Sequence, residues 1–273
     1  MTGELAGAFD LHVHCSPDTR PRKLTAHELA AAAQTAGMGG LVLKNHQIPT
    51  APVAEVLRSS FPGLHLFGGL VLNTAIGGFN VEAVDIAIRM GAKQIWMPTR
   101  SAAHECRFLG SPEDGLRIHD NSGNLFPAVQ EILDLIAKAG IILGTAHVSP
   151  DEIALLVREG RRMGLQKILI NHPEIEFVNL SHAMQNELSG PGVYFERCYA
   201  RKGFLLDWDG LAAVTRAVGF QSTVLATDLG QPENPDPVSG LSEMRRQFAA
   251  RGFSDDELRT MLCDTPASLL GLA

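Results

Sequence analysis

Short apolar runs alternate with helix-forming segments eight times along this sequence, and that alternation limits the folds open to it. Most of the runs contain consecutive apolar residues, as a strand buried on both faces requires. Eight strands alternating with eight helices in 273 residues predict an α/β protein, a single (β/α)₈ TIM barrel covering residues 1–273 as one domain. The predicted strands are 9–14, 40–46, 64–73, 94–99, 141–147, 166–172, 192–198 and 222–228.

The segments between the strands support this prediction. Three of them begin with the capping-box pattern, in which a hydroxyl and a glutamate three residues later satisfy free N–H groups at a helix start. These pairs are Thr25 with Glu28, Ser149 with Glu152, and Ser254 with Glu257. Residues 100–125 break the alternation and predict a lid or binding loop. An open doubly wound sheet is the alternative fold, but it predicts a glycine-rich loop where His-Val-His-Cys-Ser-Pro follows the first strand.

The composition excludes several classes of protein. A net charge of −7 argues against a general nucleic-acid or anionic-membrane surface. No stretch approaches the ~20 apolar residues that cross a bilayer. The four cysteines lie far apart without a paired metal spacing, and the N-terminal residues lack a basic segment followed by an apolar one. We therefore expect a cytoplasmic protein that acts on a small molecule, with homo-oligomer formation left open.

Polar residues collect at the ends of the predicted strands. His12 and His14 lie two residues apart on the first strand, so both imidazoles face one side and can hold a single metal ion. In a (β/α)₈ barrel the carboxyl ends of the strands form one rim, where the active site lies. The other residues at these ends are Lys44, His46, Asn73, Thr99, Arg100, His147, His172, Glu196, Cys198 and Asp228. Imidazole and carboxylate ligands together suit zinc.

This order of residues resembles the metal-site pattern of the amidohydrolase superfamily. The shared features are a His-x-His on strand one, a histidine ending strands five and six, and an aspartate ending strand eight. The C-terminal segment from Asp264 to Leu272 is also similar to the Asn-Pro-Ala-x-Leu-Leu-Gly-Leu ending of that superfamily. The resemblance implies a metal-dependent hydrolase whose metal ligands are His12, His14, His147, His172 and Asp228. It further implies that Asp228 shuttles a proton of the activated water, and that His172 binds a second metal or assists the substrate.

The sequence departs from that pattern at strand four. Binuclear members usually carry a bridging carboxylated lysine or a glutamate there, and residues 94–100 offer neither. We therefore expect one divalent ion, with zinc favoured, and keep two ions as the alternative, bridged by Glu196 or a modified Lys44. Lys44 is otherwise a candidate catalytic residue or a charge that neutralises Asp228 or another buried carboxylate. His46 and Glu196 are either additional ligands or groups that support one.

Basic residues near the strand ends predict the charge of the substrate. Arg20 and Arg22 follow strand one and Arg100 follows strand four. Because the guanidinium fork suits carboxylate and phosphate, these residues indicate an anionic substrate, although solvated loop charges would give the same pattern. The expected reaction is hydrolysis of a C–N or ester bond in a small molecule.

Three alternatives to hydrolysis of such a bond stay open. One is metal-dependent non-oxidative decarboxylation, which some barrels with this ligand set catalyse. Another is a phosphoesterase of the polymerase-and-histidinol-phosphatase type, whose opening Asp-Leu-His-x-His is similar. That group ends strand eight in Asp-x-His, whereas Leu229 and Gly230 follow Asp228 here. A barrel that binds a metal or an effector without catalysis is the third, because a fold does not determine a function.

Overall fold

The computed structural model describes residues 3–111 and 114–272, in which eight strands follow one another along the chain. Residues 112 and 113 of the predicted 100–125 loop, and residues 1, 2 and 273 of the predicted domain, lie outside the described residues. The strands are β1 (Phe9–His14), β2 (Gly40–Lys44), β3 (His65–Val71), β4 (Gln94–Trp96), β5 (Ile142–Gly144), β6 (Ile168–Ile170), β7 (Val193–Arg197) and β8 (Thr223–Leu225).

Every strand pairs in parallel with its neighbour in sequence order, from β1 to β8. The sheet closes where the chain after β8 meets β1. Backbone hydrogen bonds join His14 N to Leu229 O at 2.8 Å and Asp228 N to His12 O at 2.8 Å. The predicted (β/α)₈ barrel is confirmed, and the assignment of the whole chain to one domain stays a prediction.

Helices alternate with these strands. They are α1 (Ala26–Thr35), α2 (Ala51–Arg58), α3 (Val81–Arg89), α4 (Ala103–Phe108), α5 (Pro127–Ala139), α6 (Pro150–Arg162), α7 (His182–Leu188), α8 (Trp208–Val218), α9 (Pro237–Ala249), α10 (Asp255–Arg259) and α11 (Thr265–Leu270). All three predicted capping boxes form, at the starts of α1, α6 and α10. No helix in the described ranges combines the length and the apolar character needed to span a bilayer.

The 100–125 segment is more ordered than the sequence predicts. It contains α4, and isolated bridges pair Ala102 with Leu116 and His119 with Leu125. The sequence did not predict α4, and the role of this segment as a lid or binding loop stays a prediction. Six residues are too few for a clear helical period in the sequence, so the helix becomes visible only when Ala103 and Cys106 are seen to be buried.

Trp96 fills the interior of the barrel beneath the strand ends. The side chain is fully buried, and two glycines on the neighbouring strands make room for it. A Cβ atom on Gly144 would lie 2.5 Å from Trp96 Cδ1, and one on Gly69 would lie 2.6 Å from Trp96 Cζ3. The indole therefore forms a rigid floor, and the polar side chains at the strand ends lie above it.

Candidate metal centre

Five histidines form a closed circuit of rings at the carboxyl ends of the strands. The contacting pairs and their ring-centroid distances are His12–His14 (5.4 Å), His14–His46 (5.0 Å), His46–His147 (6.3 Å), His147–His172 (5.0 Å) and His172–His12 (5.6 Å). All five are buried. The barrel thus brings together the five histidines that the sequence places at strand ends, although β1, β2, β5 and β6 are far apart in the chain.

Three of the predicted ligands have converging donor atoms. Asp228 Oδ1 lies 3.1 Å from His12 Nε2 and 3.2 Å from His14 Nε2. All three residues are buried, and their ligand atoms lie within 4.8 Å of one another. Burial lowers the pKa of His14 to about 3, so this ring stays neutral at neutral pH. Two imidazoles and a carboxylate in this arrangement match the ligand chemistry of a divalent zinc site.

The backbone conformation of Asp228 and a contact with Arg201 fix the position of its carboxylate. Its backbone has φ = 51°, a left-handed conformation that a non-glycine residue rarely adopts, and Arg201 Nη2 donates to its Oδ2 at 2.6 Å. Burial works against the charged form, but His12 and Arg201 outweigh it and hold the pKa of Asp228 well below its usual range. The carboxylate is therefore ionised at neutral pH, with one oxygen towards the histidines and the other towards Arg201.

Glu196 on β7 positions His12 from the opposite side. Its Oε1 accepts a hydrogen bond from His12 Nδ1 at 2.8 Å, and its Oε2 accepts one from Asn171 Nδ2 at 3.0 Å. A metal-binding histidine usually donates its second ring N–H to such a carboxylate, which leaves the other nitrogen free for the metal. The contact between Glu196 and His12 therefore fits the second of its predicted roles, support of a ligand. The basic residues Arg100 and Arg197 pair with other carboxylates, Glu105 and Glu174.

Lys44 lies beneath the same imidazole. Its side chain is fully buried, with Nζ 2.9 Å from His12 Nε2 and 5.3 Å from the centroid of the Trp96 ring. Burial lowers the pKa of Lys44 below its ordinary value. Among the described residues, no carboxylate forms an ion pair with Lys44, so Asp228 and Glu196 act on it through their charges and not by direct contact.

His147 has a carboxylate partner that the sequence does not reveal. Its Nδ1 hydrogen-bonds to Glu105 Oε2, and Arg100 donates to Glu105 Oε1 at 2.9 Å. Glu105 belongs to α4, so it lies within the segment predicted to be a loop, and its role depends on the fold of that segment. Burial lowers the pKa of His147 despite this carboxylate. The ring is therefore oriented with Nε2 available.

His172 differs from the other four histidines in that neither of its ring nitrogens has a hydrogen-bond partner among the described residues. The residue is fully buried and has φ = 30°. Burial lowers its pKa well below the usual value, so the ring is neutral. Buried polar atoms without partners are rare in folded proteins. Two such atoms beside His12 and His147 indicate that this ring is prepared to contact a ligand.

A cavity of about 570 Å³ opens above this group of residues. Arg20, Arg22 and Arg100, which the sequence predicts as substrate contacts, line it together with His14, His46, His147 and Asp228. Asp18 holds Arg22 through a 2.7 Å hydrogen bond to its Nε. Arg22 Nη2 also lies 3.4 Å from His14 Nδ1, which is long for a hydrogen bond.

Arg201 is a cavity residue that sequence reasoning missed. It follows β7 by four residues, and only its proximity to a predicted strand end could have suggested a role. Its guanidinium contacts Asp228 and lies over the Phe204 ring, 4.8 Å from the centroid. Ile175 and Phe177 supply apolar surface to the same cavity. The cavity therefore combines four arginines with one apolar wall beside the candidate metal centre.

Comparisons with known proteins agree with this architecture. The model of a family described as a family of unknown function (DUF6282) matches residues 7–196. No curated protein matches the sequence.

Several solved structures share the fold at low sequence identity. The probable dipeptidase PvdM from Pseudomonas aeruginosa has a TM-score of 0.74 at 10% identity, over 98% of this chain and 95% of that one. An amidohydrolase from Pseudomonas aeruginosa has a TM-score of 0.63 at 12% identity, over 98% and 96%. A 2,6-dihydroxybenzoate decarboxylase from Rhizobium has a TM-score of 0.64 at 10% identity, over 100% and 99%. The fold of this chain is thus shared with a probable dipeptidase, an amidohydrolase and a decarboxylase.

Proposed function

Because the chain belongs to DUF6282, a family of unknown function, its activity has to be inferred from its own site, and we propose that it is a metal-dependent hydrolase of the amidohydrolase type. The proposed reaction cleaves a C–N or ester bond in a small anionic molecule. The observation that carries the proposal is the convergence of His12, His14 and Asp228 at the base of an arginine-lined cavity.

The chemistry of the donor set supports a zinc site. His12 Nε2, His14 Nε2 and Asp228 Oδ1 would hold one ion, and Glu196 supports His12 as a ligand through its Nδ1. A divalent ion in such a site supplies Lewis acidity, which lowers the pKa of water from about 15.7 to nearer 7 and polarises the bond under attack. His147 and His172 are further candidate ligands. The two unpartnered nitrogens of His172 support a direct contact with metal or substrate.

A single ion is the simpler proposal. The only other close cluster of candidate ligands in the described ranges is His12, Glu196 and Cys198, and it shares His12 with the first. Burial and the neighbouring Glu196 raise the pKa of Cys198 well above its ordinary value, so this thiol is a poor ligand. Strand four ends in Trp96, with no carboxylate or lysine to bridge two ions.

Asp228 is proposed as the general base. It is ionised, and its Oδ1 faces the histidines while Arg201 restrains its Oδ2. From this position it can accept a proton from the attacking water and return it to the leaving group. His172 would assist the substrate from the opposite side. Lys44 would place positive charge beneath the site, as a catalytic group or as a balance for the buried carboxylates.

The charge of the cavity supports an anionic substrate. The chain carries a net charge of −7, yet Arg20, Arg22, Arg100 and Arg201 all line this cavity. Two carboxylates, Asp228 and Glu233, also line it, so the four arginines leave an excess of positive charge, which raises the local concentration of an anionic ligand. Carboxylate and phosphate groups suit the planar guanidinium fork. The substrate is therefore proposed to carry a carboxylate or phosphate group outside the bond that is cleaved.

Decarboxylation is the second candidate. The fold is shared with the 2,6-dihydroxybenzoate decarboxylase, and the arginines would place a substrate carboxylate close to Asp228 and His14. This reaction uses the same ligands but breaks a C–C bond and releases CO₂, so the products distinguish the two proposals.

The test combines metal loading with a substitution. Zinc-loaded protein is assayed against anionic amides, lactones and esters, and against carboxylic acids with CO₂ detection. We expect Asp228→Asn to lower the hydrolysis rate about 10²–10⁴-fold, since it removes the general base and keeps an oxygen ligand. Asp209→Asn is the control, because Asp209 is exposed and pairs only with Arg251 among the described residues. Hydrolysis that is unaffected by Asp228→Asn, or CO₂ release without hydrolysis, contradicts the proposal.

A further inference from the structure

A hydrogen-bond chain behind His46 determines which of its ring nitrogens carries the proton. The chain starts at Asn73, at the end of β3. Asn73 Oδ1 accepts hydrogen bonds from the backbone N–H groups of Thr99 at 2.9 Å and Ser101 at 3.1 Å. A flipped amide would oppose its NH₂ group to two N–H donors, so the orientation of this side chain is defined. Asn73 Nδ2 must therefore donate, to His46 O at 2.9 Å and to Thr99 Oγ1 at 2.7 Å.

The donor and acceptor roles of Asn73 also determine the direction of the hydrogen bond between Thr99 and His46. Thr99 is fully buried, and within the described ranges its Oγ1 has two partners, Asn73 Nδ2 and His46 Nδ1 at 2.8 Å. The bond from Asn73 uses a lone pair of the hydroxyl, whose own hydrogen then needs an acceptor. His46 Nδ1 is the acceptor at hand. If His46 donated instead, the buried hydroxyl hydrogen would have no partner, which is costly. The ring proton of His46 is thus assigned to Nε2.

Two other histidines on the same rim carry a proton on the other ring nitrogen, Nδ1. His12 Nδ1 faces Glu196 at 2.8 Å, and His147 Nδ1 faces Glu105. Because a carboxylate oxygen accepts hydrogen bonds, both rings carry a proton on Nδ1, and the nitrogen left for a metal is Nε2. That is the form a metal requires. The rim therefore contains two kinds of histidine. His12 and His147 are hydrogen-bonded to carboxylates and suit a metal, whereas His46 is hydrogen-bonded to a hydroxyl and does not.

The position of His46 brings its N–H beside the candidate metal centre. His46 lines the cavity, and because Thr99 occupies Nδ1, Nε2 is the nitrogen left for a ligand there. Its ring stacks on His14 with centroids 5.0 Å apart and an interplanar angle of 24°. The end of β2 thereby offers a hydrogen-bond donor next to the nitrogen and carboxylate ligands.

We propose that His46 is not a metal ligand but a catalytic hydrogen-bond donor, whose Nε2–H binds the substrate oxygen on which negative charge develops. This inference rests on the proposed hydrolase function and adds a residue to it. No proton is transferred in this step: the N–H stays on His46 and stabilises the charged oxygen by hydrogen bonding alone. A donor already oriented for that charge needs no reorganisation during the reaction.

The tautomer of His46 is measured directly by NMR. Long-range nitrogen–proton correlation spectra of protein labelled with ¹⁵N-histidine, free of metal and loaded with zinc, report which ring nitrogen bears the proton. The spectrum of His46→Gln assigns the signals of His46 by their disappearance. We expect the proton on Nε2 in both states. A proton on Nδ1 in either state overturns the proposal.

A pair of substitutions separates the donor role from a ligand role. His46→Gln keeps an N–H group at the cavity end of the side chain, whereas His46→Met has similar length and no donor. Both variants are expected to retain the zinc content of the unchanged protein. We expect His46→Met to lower kcat about 10²–10³-fold, the usual effect of removing one such donor, and His46→Gln to lower it less. Loss of zinc from both variants, with the folded state intact by circular dichroism, would show that His46 is a ligand.

Thr99 provides a second, independent variant pair. Thr99→Val removes the hydroxyl that donates to His46, and Thr99→Ser keeps it. We expect a larger share of Nδ1-protonated His46 in Thr99→Val than in Thr99→Ser, and an unchanged share overturns the proposal. Tautomer and zinc content need no substrate. Absence of hydrolysis with the expected tautomer and retained zinc therefore refutes the proposed function, and with it the catalytic role of His46. The wrong tautomer or loss of zinc refutes the role of His46 and leaves the hydrolase function standing.

Discussion

Replacing Glu196 by glutamine is expected to weaken zinc binding about 10–100-fold, because this carboxylate holds His12 in the tautomer that a metal needs. The hydrogen bond between His12 Nδ1 and Glu196 Oε1 is 2.8 Å long, and both side chains are fully buried. A charge-assisted bond of this kind contributes about 1.5–3 kcal/mol. At about 1.4 kcal/mol for each factor of ten, its loss corresponds to the same 10–100-fold range.

Neither orientation of a glutamine at this position restores the network. With its oxygen towards His12, the amide NH₂ group would face Asn171 Nδ2, which now donates to Glu196 Oε2 at 3.0 Å. With its NH₂ group towards His12, the ring would have to accept at Nδ1 and carry its proton on Nε2. The first orientation opposes two donors, and the second blocks the nitrogen that faces Asp228 at 3.1 Å.

The measurement is zinc affinity by competition with a chelator at fixed pH, together with the urea unfolding of the metal-free variants. Glu174→Gln is the matched control, since Glu174 is also a buried carboxylate but pairs with Arg197 rather than with a histidine. We expect the control to lose stability and keep its zinc affinity. If Glu196→Gln is folded and binds zinc within threefold of the unchanged protein, the positioning role is refuted.

Two further predictions concern pH and packing. Burial and Lys44 oppose the protonation of His12, but Glu196 and Asp228 raise its pKa above 6.5. Protons therefore compete with zinc below that pKa, so the affinity should fall about tenfold per pH unit there and level off above it, as measured by titration calorimetry. Gly144→Ala should destabilise the protein by about 1–3 kcal/mol in urea unfolding, since the new Cβ would lie 2.5 Å from Trp96 Cδ1; an unchanged midpoint contradicts this packing argument.

The raised pKa of His12 also predicts how the stability of the metal-free protein depends on pH. A histidine whose pKa is raised in the folded state stabilises that state below the unfolded pKa of about 6.5 and loses this effect as the pH rises through the folded value. His12 should thus make the metal-free protein less stable as the pH rises through its raised pKa. Zinc binding should have the opposite dependence, because it needs the neutral ring.

The barrel and its histidines could be predicted from the sequence because both depend on local pattern. Buried strands appear as short apolar runs, and in a parallel barrel the residues that follow each run lie on one rim. His12, His147 and Asp228 could therefore be placed together before any contact was known. The 100–125 segment could not be predicted in the same way, since α4 is too short to show a clear period.

The sequence by itself determined the fold and the chemical types at the strand ends, since these follow from residue order and periodicity. Only the tertiary structure decided which partner stands behind each histidine: Glu196 behind His12, Glu105 behind His147 and Thr99 behind His46. Each of these partners comes from a different part of the barrel than its histidine, more than forty residues away in the chain. Proton positions depend on the direction of such hydrogen bonds, and that direction exists only once the separate elements have packed.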